Sequence, residues 1–197
     1  MHQVHAPPRH PSFEERFDPA VRILPPDRSW AVRFEREAAR LRAALGAVAD
    51  RIEHVGSTAV SGLASKPIVD LQVSVGALQP FDHYAGPLAR LGYVFLPAAA
   101  ASGDDDARLF AKPPQHPRAF HLHVCRAGSA HEERHLAVRD YLRAHPDEAD
   151  AYAALKRGLV ARRPLDRLAY MHGKASYVVD LEQRALYWAR ERPERTG

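Results

Sequence analysis

The sequence predicts an α+β fold, a mixed β-sheet flanked by helices, with a C-terminal helical segment packed on that core. Three observations predict it. Val69-Asp70-Leu71-Gln72-Val73-Ser74-Val75 alternates apolar and polar residues, the two-residue period of a half-buried strand. Phe34, Ala38, Leu41 and Leu45 recur on one helical face. Beyond Gly128 the strand patterns stop, and helical ones continue to about Arg190. With 46% hydrophobic residues over 197 positions, the chain can bury a sizeable core and suits one domain, with or without a small helical appendage.

Three segments follow: an irregular arm over 1–26, an α/β core over 27–128, and the helical segment over 129–197. The arm holds six prolines and little apolar periodicity. The first helix starts near Asp27 or Ser29, either of which can cap it, and Gly46 either ends it or sits in its last turn. Arg51 to Val55 is a short strand running into a tight Gly56-Ser57-Thr58 turn, and the small residues 58–65 suit one short helix. A second strand follows Pro67, then a helix over 81–91 closed by Gly92, then a strand over 93–96. The segment with Asp104, Asp105 and Asp106 reads as an acidic loop rather than a metal site. Arg108–Ala111 and Ala119–Cys125 pair around a proline-rich turn, with His121 and His123 on one face and Leu122 and Val124 on the other. Ser129 with Glu132 or Glu133 begins the helical segment, which breaks near Pro146 and Pro164 into three helices.

Composition excludes several classes. The 28 basic residues against 24 acidic ones leave a net charge of +4, and no Lys/Arg stripe is present. That balance accommodates an anionic small molecule and does not point to nucleic acid. No apolar run approaches the ~18 residues of a membrane span. The single cysteine, Cys125, cannot form an internal disulfide, so the expected compartment is the reducing cytoplasm. No feature specifies an oligomeric state.

The chemistry concentrates in Gly56-Ser57, followed after twelve residues by Asp70 on a strand. A strand delivers the glycine turn, and a second strand carries the carboxylate back beside it. Glycine lets the backbone approach a phosphate, while Ser57 and neighbouring N–H groups can hydrogen-bond it. Asp70 can hold a divalent ion that bridges phosphates. His54 and Thr58 flank the turn. Lys66 precedes the Asp70 strand and can contact phosphate. Tyr170 and Lys174, four residues apart, share a helical face, and with Tyr177 they line either the pocket or a helix interface. Arg108 is a further anion contact or a solvated side chain.

Glu53-His54-Val55-Gly56-Ser57-Thr58-Ala59-Val60, with Gly62-Leu63 and Lys66-Pro67-Ile68-Val69-Asp70, resembles the signature of the GrpB family, whose members share the nucleotidyltransferase fold. The resemblance extends to Trp30, Phe34 and Glu35 upstream. Downstream it includes His121-Leu122-His123-Val124, Arg139-Asp140-Tyr141-Leu142-Arg143, Tyr152 with Lys156, and Tyr170 with Lys174. It spans roughly residues 21–190. Enzymes of that superfamily carry Asp-x-Asp or Asp-x-Glu on the second strand, whereas here the partner position is Gln72, which offers a carbonyl oxygen but no charge. Position 61, often proline in the family, is Ser61.

If His121 and His123 face Asp70, the three form a metal set in which imidazole favours Zn²⁺ or Mn²⁺ beside the Mg²⁺ usual for nucleotides. Alternatively the histidines contact phosphate or act as general base. The expected function is therefore a nucleotidyltransferase-like enzyme binding a nucleoside triphosphate, ATP by preference, and a divalent ion, and acting on a small-molecule acceptor. Asp70, His121 and His123 are its catalytic candidates. The alternatives are an ATP-dependent ligase joining a carboxylate and an amine, a pocket that binds nucleotide without turnover, or an assembly module like the GrpB-type domains fused to coenzyme A biosynthesis enzymes.

Overall fold

The computed structural model describes residues 21–97, 106–114, 117–161 and 167–192. In chain order these form α1 (Ser29–Leu45), β1 (Arg51–Val55), β2 (Val69–Val75), α2 (Asp82–Arg90), β3 (Val94–Phe95), β4 (Ala107–Lys112), β5 (Phe120–Arg126), α3 (Ala130–Ala144), α4 (Pro146–Ala161) and α5 (Arg167–Glu191). Residues 1–20 of the predicted arm, Asp104, Asp105 and Pro164 lie outside the described residues.

The local chemistry explains most boundaries. Asp27 accepts hydrogen bonds from the Ser29 N–H and hydroxyl, both at 2.7 Å, and so starts α1. Gly46, at φ 52°, ends it. The short helix expected over 58–65 reduces to one 3₁₀ turn, Ser57–Ala59. Val60 turns extended (φ −103°, ψ 115°), and Gly62 takes φ 84°, so the helical path cannot continue.

The five strands form one mixed sheet in the order β1-β2-β5-β4-β3. β2 and β5 run parallel, and the other neighbouring pairs are antiparallel. One face packs Leu71, Val73, Leu122, Val124 and Phe110 against Trp30, Phe34 and Leu41 of α1 and Tyr84 and Leu88 of α2. A second core joins the three C-terminal helices to Val60 and Leu63 after the glycine turn, through Tyr141, Leu142, Tyr152, Leu181 and Ala185.

The remaining face carries the polar row. Register sets Asp70 opposite His121 and Gln72 opposite His123. Residues so paired share a face. α3 covers most of that row: Gln72 and Ser74 are buried, and only the Asp70 end opens outward. Glu132, expected as a helix cap, is the anchor of α3. Its carboxylate accepts from Arg51 at 2.5 Å, the Gly128 N–H at 2.6 Å and the Ser74 hydroxyl. Burial alone would raise its pKa, but these donors bring it below the usual value.

Candidate functional site

The turn after β1 touches the β2 carboxylate because position 56 has no side chain. Gly56 sits at φ 68° and ψ −172°, a region nearly confined to glycine. A Cβ there would lie 2.6 Å from Asp70 Oδ2. Two arginines of α3 hold the turn in place. Arg143 donates to the Ala59 carbonyl at 3.0 and 2.9 Å. Arg139 donates to Glu53 at 2.6 Å and to the His54 carbonyl at 3.2 Å. On the opposite side, His54 Nε2 bonds Thr58 Oγ1 at 3.0 Å while its ring stacks on Phe34 at 4.7 Å. Burial holds the His54 pKa down at about 4.

Ser57, Lys66, Asp70 and His121 meet Tyr152 and Lys156 of α4 and Tyr170 and Lys174 of α5 around one cleft of about 70 Å³. That volume takes one phosphoryl-sized group rather than a whole ligand, since pockets enclosing drug-sized molecules run to ~300–1,000 Å³. His121 Nδ1 lies 3.3 Å from Asp70 Oδ1, and the Asp70 side chain keeps 28% of its surface exposed. Burial pushes the Asp70 pKa up, but the hydrogen bond from His121, with the charges of His121, His123 and Lys66, brings it below its ordinary value.

The lysines stand on aromatic rings. Lys66 and Lys174 lie 5.5 and 5.7 Å from the Tyr170 ring centre, and Lys156 lies 4.4 Å from that of Tyr152. Ring faces hold ammonium groups without neutralising them. Lys156 Nζ, almost fully buried, donates to Ser57 Oγ at 3.0 Å. Burial, then Lys174 and Arg157, bring its pKa down to about 7, against an opposing pull from Asp70. The cleft thus concentrates positive charge that a bound anion would relieve.

The structure brings together Ser57, Lys66, Asp70, His121, Tyr170 and Lys174, with Gly56 as the wall behind Asp70. His54 and Thr58 line a different groove, of about 740 Å³, below the turn. The alternation of β1 explains it: Val55, not His54, pairs with Asp70. Arg108 also lies away from the cleft: it pairs with Val124 in the ladder and donates to the Ala107 carbonyl at 2.8 Å. Tyr177 stacks on Tyr152 in the helix interface. Gln72 is fully buried, and neither its amide nitrogen nor its oxygen has a hydrogen-bond partner. His123 shares the sheet face of Asp70, but its ring lies among His131 and His135 of α3. Tyr152 and Lys156 entered the sequence reading only through the family resemblance and were not among the expected site residues. Their signal was available: Tyr-x-x-x-Lys occurs at 152–156 and again at 170–174, each pair on one helical face.

A glycine turn abutting a strand carboxylate on a mixed sheet, closed by lysine-bearing helices, defines a nucleotidyltransferase-like protein. The family model described as GrpB protein matches residues 20–184, and the chain belongs to the GrpB family. A UPF0157 protein of Pseudomonas aeruginosa is 39% identical over 173 residues, covering 86% of this chain and 69% of its own length. The crystal structure of the conserved protein GrpB from Enterococcus faecalis superposes with a TM-score of 0.78 at 32% identity, covering 86% of this chain and all of that one. A dephospho-CoA kinase of Mycolicibacterium paratuberculosis is 32% identical over 190 residues; the match covers 86% of this chain and 47% of the kinase. No described helix is long and apolar enough to cross a membrane.

Proposed function

We propose that the cleft receives the phosphate end of a nucleoside triphosphate, ATP by preference, for transfer to a small-molecule acceptor. The observation that carries this reading is the convergence of Lys66, Lys156 and Lys174 on the cleft beside Ser57. Three ammonium groups around a phosphoryl-sized space match the charge spread over transferring phosphate oxygens. The Ser57 hydroxyl, which accepts from Lys156, can donate onward to a phosphate oxygen. The nucleoside would lie outside the cleft, given its volume of about 70 Å³.

Asp70 and His121 supply the remaining chemistry. With Nδ1–H directed at Asp70, His121 presents Nε2 as a lone pair, the arrangement of a base oriented by a carboxylate. As the acceptor oxygen or nitrogen attacks the α-phosphorus, the bond to the bridging oxygen would break, pyrophosphate would leave, and His121 would take the acceptor's proton. Asp70 is the single carboxylate among the described residues that line the cleft. That donor set does not fit a two-ion centre, in which several carboxylates bracket the metals. It fits one Mg²⁺ or Mn²⁺, which Asp70 would hold and which would shield phosphate charge.

A second reading, nucleotide binding without turnover, is favoured by the buried Gln72 at the superfamily's second carboxylate position. The dephospho-CoA kinase similarity extends the question to assembly, since the matched region is under half of that enzyme. Thermal unfolding with ATP, GTP, CTP and UTP, with and without Mg²⁺, tests the common core of both readings. Ligand at 100 times its Kd stabilises by ~2.7 kcal/mol, a readable shift. The shift is expected in wild type and lost in Lys156→Ala. No shift with any nucleotide would sink the proposal. Release of pyrophosphate or ADP on adding acceptors then separates transferase or ligase from a silent pocket.

A further inference from the structure

A second cluster lies one strand step above the cleft. His123 projects from β5 on the face that α3 covers, and His131 and His135 are one helical turn apart on α3. One ring nitrogen from each lies within 4.8 Å of the other two. Ring centres are 4.2 Å apart for His131–His135, 4.7 Å for His123–His135 and 5.6 Å for His123–His131. His131 is buried, while the other two are partly exposed, which leaves an entry path.

Beside His123 in the sheet lies its register partner Gln72, fully buried with an unpartnered carboxamide. The buried Nδ1 of His135 also lacks a hydrogen-bond partner. Buried polar atoms are satisfied in the great majority of cases. Unpartnered buried polar atoms on the same face as three converging imidazoles point to a ligand that would satisfy them.

We infer that His123, His131 and His135 form a transition-metal site, separate from the Asp70 cleft, that takes Zn²⁺ or a similar imidazole-binding divalent ion. The chemistry selects the ion: imidazole suits Zn²⁺, Co²⁺, Ni²⁺ and Cu²⁺, whereas Mg²⁺ and Ca²⁺ require oxygen ligands. Three protein nitrogens leave a fourth position, which a water or the Gln72 carbonyl oxygen can fill. Strand rise places His123 ~7 Å from His121, so the two sites are neighbours without sharing a ligand. The competitor is Arg134, whose Nη2 approaches His131 Nδ1 at 3.4 Å; binding through that nitrogen breaks the contact, and Glu182, at 3.6 Å, retains the guanidinium.

The test is a Co²⁺ titration of tag-free protein, followed by the visible ligand-field bands of the bound ion, with Zn²⁺ as competitor. One equivalent is expected to give the strong absorption of four-coordinate cobalt, and Zn²⁺ to abolish it. His131→Phe is expected to lower affinity beyond the roughly 10–100-fold that losing an outer hydrogen-bonding partner costs. Asp70→Asn is expected to leave the titration unchanged. Circular dichroism confirms that each variant is folded; should His131→Phe not fold, His135→Asn takes its place. Absence of a saturable spectrum in wild type overturns the inference. So does a spectrum that survives loss of the α3 histidines or disappears with Asp70. Nucleotide shifts are read separately in buffer free of transition metals, with and without Mg²⁺, so failure of either proposal is distinguishable from failure of the other.

Discussion

Lys156 is the side chain whose state reports most directly on the cleft. Its amine is held to a pKa of about 7 by burial and neighbouring cations. A bound anion favours the charged form, so binding takes up a proton. Affinity for sulfate, which does not titrate in this range, should therefore fall as pH rises above 7, by up to ~tenfold per pH unit. Calorimetry between pH 7 and 9 checks this, and Lys156→Met should both weaken binding and flatten the slope. The same variant should be more stable than wild type. In the folded protein the Lys156 pKa lies below the 10.5 of the unfolded chain, so the amine opposes folding below that value and opposes it most below pH 7. At this chain length each kcal/mol relieved raises Tm by about 2–4 °C. Gly56→Ala should do the opposite. It forces a Cβ to 2.6 Å from Asp70 Oδ2 in a backbone region foreign to L-residues, and should cost about 1–3 kcal/mol in urea unfolding while displacing the carboxylate.

At the scale of elements, the cleft depends on helices that lie far away in sequence. Arg143 of α3 clamps the Ala59 carbonyl, and the turn's own bonds are long, 3.2 Å from Ala59 N and 3.3 Å from Val60 N. Arg143→Ala should speed hydrogen exchange at these two amides and weaken anion binding through Ser57. Its cost to global stability should be small, about 1 kcal/mol, because the guanidinium is 46% exposed. Helix α5 is set by Gly173, where a Cβ would come within 2.5 Å of Leu159 Cδ2 of α4. That closeness carries Tyr170 and Lys174 to the cleft. The helices, the β2 strand and the turn were legible from period and punctuation. So were Ser57, Asp70, His121, Lys66, Tyr170 and Lys174 as one group. The diversion of His123 was not. Strand alternation gives its face but says nothing of the helix that covers it, and α3 happens to bring two more imidazoles there.

For the whole molecule, two pairings of the order β1-β2-β5-β4-β3 were readable, β4 with β5 around the proline-rich turn and β2 folded back beside β1, whereas the parallel register of β2 on β5 and the edge place of β3 were not, because local period carries no record of which distant strands pair. The polar row on β2 signalled an open face, yet tertiary packing buries most of it under α3. Buried imidazoles make the fold acid-sensitive. The His54 pKa is about 4 in the folded protein against 6.5 in the open chain, so the unfolded state binds the extra proton between those values. The contribution of neutral His54 should be complete above pH 6.5 and be lost as pH drops toward 4. Urea midpoints across that range should fall less steeply for His54→Gln than for wild type.

The parallel pairing of β2 with β5, and the late arrival of α5, also set a schedule for synthesis. Asp70 leaves the ribosome roughly 100 residues before Lys174, an interval of about 5–20 s at ordinary elongation rates. During that interval the turn and its carboxylate have Lys66 but not Lys156 or Lys174, and β5, the parallel partner of β2, is made only about halfway through it. A ligand therefore cannot act as a template for the nascent sheet. It can only lock a chain that has already been translated through its final helix.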